Sequence, residues 1–140
     1  MIRIGIICPS EIAFRRFLPS LQKVADSFEF AGIAIASPLE WFGDLTQVTE
    51  SDIQSQQERE RAKAHTFVDQ YGGKIYEGYQ SIIESSEIDA MYIPLPPALH
   101  FHWAKMALEK GKHVFVEKPS TTCLKDTDEL ISLASSKGLA

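Results

Sequence analysis

Residues 2–13 read IRIGIICPSEIA, and this stretch decides the fold. Ile2 to Ile7 form a mostly β-branched, apolar run, which is typical of a strand buried on both faces of a parallel sheet. The turn-forming residues Cys8, Pro9 and Ser10 end this strand, and apolar residues at helical spacing follow them. Ser10 suits the N-cap position and Glu11 suits the positive end of a helix dipole. A strand, a tight turn and a helix therefore predict an α/β protein.

The same alternation of apolar strands and amphipathic helices continues along the rest of the sequence. It predicts a doubly wound, Rossmann-like parallel sheet with helices on both faces, joined by right-handed crossovers. Pro19 should kink or break the first helix, because proline cannot donate a helical hydrogen bond. Further strands are predicted at 28–37, 74–76, 89–93 and 113–116, and helices at 11–25, 54–71, 79–84, 98–110 and 120–137.

Composition restricts the class of protein. The 140 residues are 44% hydrophobic and 24% charged, so we expect residues 1–140 to form one domain with a buried core. The net charge of −5 argues against binding to nucleic acid, which requires a basic surface. No apolar run approaches the roughly 20 residues of a membrane span. Cys8 and Cys123 have no metal or redox spacing, which favours a soluble, cytoplasmic protein without a metal site.

Two segments between the second and third strands differ from the regular pattern. Residues 38–53 are predicted to be a surface insertion that is functional or mobile, because they exceed the usual loop lengths. The following helix carries a charge run from Glu58 to Lys63, which we interpret as a solvated face.

The candidate site lies at the carboxyl ends of the strands, where doubly wound sheets bind ligands. The end of the first strand, at Cys8, is where a Rossmann fold has its glycine-rich phosphate turn. Of the G-x-G-x-x-G/A pattern of that turn, this sequence keeps only Ala13. Cys8 precedes proline and should be extended, and Pro9 removes one N–H group. We expect a reshaped phosphate site, the alternative being an ordinary capped turn, and its predicted cofactor-binding residues are Cys8, Pro9, Ser10, Glu11 and Ile12.

The end of the second strand predicts the choice of cofactor. An acid there would accept from the ribose 2′-hydroxyl and repel a 2′-phosphate, but this sequence has Ser37 and no acid until Glu40. The cofactor is therefore predicted to be NADP or NAD, with NADP favoured. Whether Arg59 or Arg61 folds back to support a phosphate is left open. Arg15 and Arg16 either face solvent or bind the diphosphate.

Lys118 is the most informative single residue. It follows a predicted strand, beside the cleft where a nicotinamide would lie, and its ammonium could stabilise charge on a reacting oxygen. Glu117 could orient it, and the alternative is a solvent-exposed Glu–Lys pair. His100 is predicted on the cleft side of a helix, with a purely structural histidine as the alternative. His102 is interpreted as structural, His65 as a helix-surface residue and His113 as the start of a strand, whereas Leu99, Trp103 and Met106 are interpreted as core.

Two stretches resemble the Gfo/Idh/MocA oxidoreductases. Residues 89–100 read DAMYIPLPPALH and residues 111–119 read GKHVFVEKP, and the second string is quite specific. Residues 15–19, RRFLP, are similar to the branch of sugar-nucleotide ketoreductases and related sugar dehydrogenases. The sequence departs from the family at Cys8 and Ser10, which replace glycines, and at Pro97, where asparagine is common.

The resemblance implies an NAD(P)-dependent enzyme that transfers hydride to or from a sugar, sugar-nucleotide or cyclitol carbon. It implies that Lys118 is catalytic and that its bond to Pro119 is cis. The cofactor would also contact Leu95, Pro96, His100, Glu117, Lys118 and Pro119.

The family's second domain carries the substrate pocket, a catalytic histidine and much of the oligomer interface. We therefore expect a chain truncated before that domain, inactive by itself, and a homo-oligomer when full length. Two alternatives stay open: a non-catalytic dinucleotide-sensing regulatory protein and an inactive fragment.

Overall fold

The computed structural model describes residues 1–140 and contains one sheet of five parallel strands. The strand order is β3-β2-β1-β4-β5, so β1 lies between β2 and β4. Successive strands are added to one side of β1 up to β3 and to its other side from β4 onward. This arrangement confirms the predicted doubly wound parallel sheet. The strands are β1 Ile2–Ile7, β2 Phe28–Ile35, β3 Lys74–Glu77, β4 Ala90–Ile93 and β5 His113–Val116.

Helices cover both faces of this sheet. One apolar cluster includes Ile7, Ile82 and Trp103, and the other includes Ile6, Leu18 and Phe67. Consecutive residues of β1 thus pack on opposite faces, which is why the strand is apolar except at Arg3. The helices are α1 Leu18–Gln22, α2 Pro38–Phe42, α3 Glu50–Tyr71, α4 Tyr79–Glu84, α5 Pro97–Glu109 and α6 Leu124–Lys137. None of them is long and apolar enough to cross a membrane.

The first helix is irregular where Pro19 predicted it to be. Residues 13–17 form a π-helical turn, closed by the hydrogen bond from the Leu18 N–H to the Ala13 carbonyl. Proline at position 19 lacks an N–H group and crowds the carbonyl four residues before it, so the preceding turn widens. The helix ends at Gln22, three residues earlier than predicted.

The segment 38–53, predicted to be a surface insertion, is mostly exposed but partly helical. That it is functional or mobile stays a prediction. Residues 38–42 form α2, and α3 begins at Glu50 rather than 54, which leaves only 43–49 as a link. Both helices begin with a capping box, Ser37 with Glu40 and Thr49 with Asp52. These S-x-x-E and T-x-x-D patterns were the sequence signal for both helix starts.

The charge run on α3 is only partly a solvated face. Glu58, Arg59 and Lys63 are exposed as predicted, but Glu60 is buried with 2% exposure. Its carboxylate accepts a hydrogen bond from the Lys63 ammonium at 2.8 Å. The prediction was wrong for Glu60 because this residue shares the inward face of the helix with Ala64 and Phe67.

Candidate functional site

The turn after β1 makes the tight bend without glycine. Cys8 has a φ of 76°, so the expectation of an extended backbone before proline was wrong. Its N–H donates to the Ala34 carbonyl at 3.0 Å, and its own carbonyl accepts from the Ser10 N–H at 2.9 Å. Because Cys8 stays paired to β2 while the chain must turn into a helix within two residues, the left-handed conformation is imposed on it.

Ser10 caps the helix that follows this turn. Its Oγ accepts a hydrogen bond from the Ala13 N–H at 3.2 Å, as the sequence predicted. The amide groups of the first turn, at Glu11 and Ile12, have no carbonyl one turn earlier within the helix. A helix start of this kind attracts anions. The backbone of residues 8–12 can therefore hold a phosphate even though Pro9 contributes no donor.

The Cys8 thiol is a packing group and not a nucleophile. Burial raises the pKa of Cys8 to about 11, so the thiol is neutral near pH 7. It lies beside Tyr79, whose own pKa is raised mainly by burial. The Tyr79 ring packs edge-on against Trp103 with 5.3 Å between ring centroids. The Cys8 side chain therefore packs the turn against the core cluster that contains Tyr79 and Trp103.

No acid is free directly after β2. The Glu40 carboxylate accepts three backbone N–H groups, from Ser37 at 2.7 Å, Tyr79 at 2.8 Å and Gln80 at 3.1 Å. The Ser37 Oγ accepts from the Glu40 N–H at 3.2 Å, which leaves the hydroxyl hydrogen available for a ligand. The Glu40 oxygens are thus largely occupied by backbone N–H groups instead of accepting from a ribose hydroxyl, which is consistent with the predicted preference for NADP.

A groove of about 510 Å³ runs between this turn and α3. It is lined by Cys8, Ser10, Arg15, Trp41 and Lys63, among others. Arg15 is exposed and pairs with Glu11 at 2.9 Å, and both residues line this groove, so binding of a diphosphate by Arg15 stays a prediction.

Lys118 lies directly beyond β5, exposed and without an ion pair or hydrogen bond to the rest of the protein. The preceding Glu117 is fixed, because its N–H donates to the Ile93 carbonyl at 3.3 Å and its Oε1 accepts from the Tyr92 hydroxyl at 2.5 Å. Burial, with the bond to Glu117, raises the pKa of Tyr92. The Lys118–Pro119 bond is cis, as the resemblance implied. The Lys118 ammonium is thus unpaired, while the backbone before it is fixed by the hydrogen bonds of Glu117.

His100 does not present a nitrogen to the cleft, which corrects the expectation for this residue. Its ring is fully buried. Nε2 lies 2.6 Å from the Leu95 carbonyl oxygen, and Nδ1 lies 2.9 Å from that of Pro119 and 3.2 Å from that of Ser120. The ring joins the loop after β4 to the loop that carries Lys118, so it positions those loops. The sequence places His100 near them but does not show that carbonyl groups occupy both nitrogens.

The neighbouring apolar residues fall into two groups. Trp103 is buried and Met106 packs against the core, as predicted, but Leu99 is 44% exposed and is not a core residue. The Leu95 side chain belongs to the core, so only its backbone remains for a cofactor, whereas Pro96 is exposed at the start of α5. No group of three or more metal-ligating side chains occurs.

Comparison with known proteins agrees with this geometry. The sequence family described as "Oxidoreductase family, NAD-binding Rossmann fold" matches residues 2–140. A dTDP-3,4-didehydro-2,6-dideoxy-alpha-D-glucose 3-reductase from Saccharopolyspora spinosa is 36% identical over 138 residues, which is 99% of this chain and 34% of that protein. A D-xylose 1-dehydrogenase (NADP(+)) from Haloferax volcanii is 30% identical over 110 residues, 78% of this chain and 33% of that protein.

A solved structure shows the same fold. The crystal structure of a 3-ketoreductase from Actinomadura kijaniata in complex with NADP and TDP-benzene superposes with a TM-score of 0.76 at 34% identity. The match covers 99% of this chain and 35% of that one. The chain thus spans about a third of the length of the relatives that it matches.

Proposed function

The chain belongs to the Gfo/Idh/MocA oxidoreductase family, and from this premise we propose that residues 1–140 are the NAD(P)-binding domain of a sugar-nucleotide ketoreductase. The observation that carries the proposal is the free ammonium of Lys118 beyond β5, on a loop held by His100 and Glu117. The substrate class follows from relatives whose names describe reduction of dTDP-linked keto sugars. The proposed location is the cytoplasm, with homo-oligomerisation of the full-length protein.

The residues present suit a dinucleotide. The start of the first helix at 8–12 would hold the diphosphate through backbone N–H groups. Ser37 would contact the adenosine end, where the Glu40 carboxylate is already saturated by backbone amides. Leu95 and Pro96, through the loop after β4, and the segment 117–119 would border the nicotinamide.

Lys118 would act as the proton donor or the oxyanion stabiliser of the reaction. When bound, the nicotinamide gives or accepts the hydride. The Lys118 ammonium would hydrogen-bond the oxygen of the reacting sugar carbon and stabilise the negative charge that develops there during reduction. His100 and Glu117 would position the backbone that carries Lys118 without touching the substrate.

The test compares Lys118→Ala with Lys125→Ala, a change of an exposed lysine without a partner on α6. In the full-length protein, reduction of a dTDP-linked keto sugar by NADPH should fall about 100-fold or more in kcat with Lys118→Ala, as is usual on loss of a general acid. Lys125→Ala should keep the wild-type rate. An unchanged rate in Lys118→Ala would remove this lysine from the mechanism.

A non-catalytic dinucleotide sensor remains a second candidate, favoured by the glycine-poor turn at Cys8. If the protein is a sensor, this chain would bind NADPH, but the full-length protein would not turn over any keto sugar. Lys118→Ala would then have no rate to change. Binding with turnover supports the reductase, and binding without turnover supports the sensor.

A further inference from the structure

We propose that Tyr92 is a positioning residue for the reaction, because its hydroxyl holds the Glu117 carboxylate and so leaves the Lys118 ammonium free for the substrate oxygen. The inference rests on the proposed function, since it concerns the reduction that Lys118 would assist. It adds a buried residue of β4 to the loop residues already described at this site.

Tyr92 lies in the middle of a stack of three aromatic rings. Its ring is nearly parallel to that of Phe17, with 3.9 Å between the ring centroids, and its centroid lies 5.4 Å from that of Phe115. Tyr92 and Phe115 are also paired residues of the neighbouring strands β4 and β5. Because Tyr92 is only 1% exposed and is packed between these two rings, its side chain is held in one orientation. The position of the hydroxyl at the end of this ring is therefore fixed.

The fixed hydroxyl of Tyr92 donates a hydrogen bond to the Glu117 carboxylate. The distance from the hydroxyl to Oε1 is 2.5 Å, which is in the range of a charge-assisted bond from a hydroxyl to a carboxylate. Burial, together with this bond, raises the pKa of Tyr92, so the hydroxyl keeps its proton near pH 7 and remains a donor. Glu117 thus has a rigid partner that comes from a different strand.

The Glu117 carboxylate does not pair with the lysine that follows it in the sequence. No ion pair of the protein includes Glu117 or Lys118. Glu117 comes two residues after Phe115, so its side chain lies on the face of the sheet that Phe17 covers, where Tyr92 binds it. The Lys118 side chain is exposed. The bond to Tyr92 therefore separates two opposite charges that are adjacent in the sequence.

This separation matters for the proposed role of Lys118. A donor stabilises charge that develops on a substrate oxygen only if it is already free and directed to that oxygen. A Glu117 carboxylate released from Tyr92 would pair with the Lys118 ammonium, and the substrate oxygen would then have to displace it. Tyr92 would thus affect kcat through Glu117, without any contact of its own with the substrate.

The test is a double-mutant cycle in the full-length protein, with NADPH and a dTDP-linked keto sugar as substrates. Tyr92→Phe keeps the stacked ring but removes the donor, and it should lower kcat about tenfold, as expected for one hydrogen bond to a charged group, with an unchanged KM for NADPH. In the Glu117→Ala background, Tyr92→Phe should change kcat by less than about twofold. The matched control is Tyr76→Phe, which removes a hydroxyl that also donates to a glutamate, Glu87, at 3.3 Å and should keep the wild-type kcat.

A second readout does not depend on activity. A crystal structure of the Tyr92→Phe chain should show the Glu117 carboxylate within about 4 Å of the Lys118 Nζ, the range of an ion pair. The wild-type chain, crystallised in the same way, should keep this carboxylate on the Tyr92 hydroxyl. A Glu117 carboxylate that stays in place in Tyr92→Phe would overturn the inference.

The kinetic outcomes separate the inference from the proposed function. An equal loss of kcat from Tyr92→Phe with and without Glu117 would mean that Tyr92 acts through packing, and it would overturn the inference. An unchanged kcat in Tyr92→Phe would also overturn it. Both results leave the proposed function intact, because the wild type reduces the keto sugar in each case. A wild type that reduces no keto sugar would overturn the proposed function itself.

Discussion

Cys8 occupies a backbone conformation that side chains of L-residues rarely adopt. Its φ of 76° lies in the left-handed region, which costs a non-glycine residue roughly 1–2 kcal/mol. The hydrogen bonds of its N–H to Ala34 and of its carbonyl to Ser10 hold it there. Packing of the thiol offsets part of this cost, because Cys8 contacts the core cluster that contains Tyr79.

A pair of substitutions separates backbone strain from packing. Cys8→Gly and Cys8→Ala both remove the buried thiol, but only glycine relieves the left-handed conformation. We expect Cys8→Gly to have a free energy of unfolding about 1 kcal/mol above that of Cys8→Ala in urea denaturation. Equal stability of the two variants would show that this turn relaxes without cost.

One ion pair connects the start of β1 to the start of β4. Arg3 in β1 donates to Asp89, just before β4, through its backbone N–H at 2.9 Å, through Nε at 2.9 Å and through Nη2 at 2.8 Å. These hydrogen bonds hold the pKa of Asp89 well below its usual range. A carboxyl group with a lowered pKa in the folded state stabilises the fold above its unfolded pKa of about 3.9. That stabilisation is lost as the pH falls toward the folded pKa.

Asp89→Asn should therefore lower the free energy of unfolding at pH 7, with a difference from the wild type that shrinks below about pH 4. Urea denaturation measured from pH 7 to pH 3 gives this dependence. Asp69→Asn, which changes an exposed residue without a partner on α3, should follow the wild type at every pH. A difference that stays constant with pH would mean that the ion pair does not carry the effect.

The regular elements were predictable, and their irregular ends were only partly so. The strands β1, β2 and β4 follow from their apolar runs, because strands buried on both faces leave a strong signal. The edge strands β3 and β5 are more exposed and leave a weaker signal. The starts of α2 and α3 were missed because the excess of polar residues in 38–53 outweighed the two capping boxes. The burial of Glu60 was missed because a charge run was read as a block, without following its spacing to Ala64 and Phe67.

The candidate site was predictable in place and less so in detail. The carboxyl edge of the sheet follows from the fold class alone, so the positions of Ser37 and Lys118 could be located from sequence. The burial of His100 could not, because it depends on carbonyl groups of two loops that meet only in the folded chain. Likewise, only the structure shows that Arg61 is paired and Arg59 is free.

Binding of the cofactor should stabilise the domain as a whole. A ligand that binds only the folded state at 100 times its Kd adds about 2.7 kcal/mol to the free energy of unfolding. For a domain of this size, NADPH should raise Tm by about 10 °C in a thermal denaturation monitored by circular dichroism. Nicotinamide alone, at the same concentration, should leave Tm unchanged. The absence of a shift with NADPH would contradict dinucleotide binding by this chain.

The Glu40 carboxylate joins the amide groups of Ser37 to those of Tyr79 and Gln80, so one side chain fastens α2 to the start of α4. The short helix α2 is consequently held in place before any nucleotide binds. Little conformational entropy is left to lose there on association. We therefore expect a nucleotide to bind at this end of the sheet without any rearrangement of α2 that would slow association.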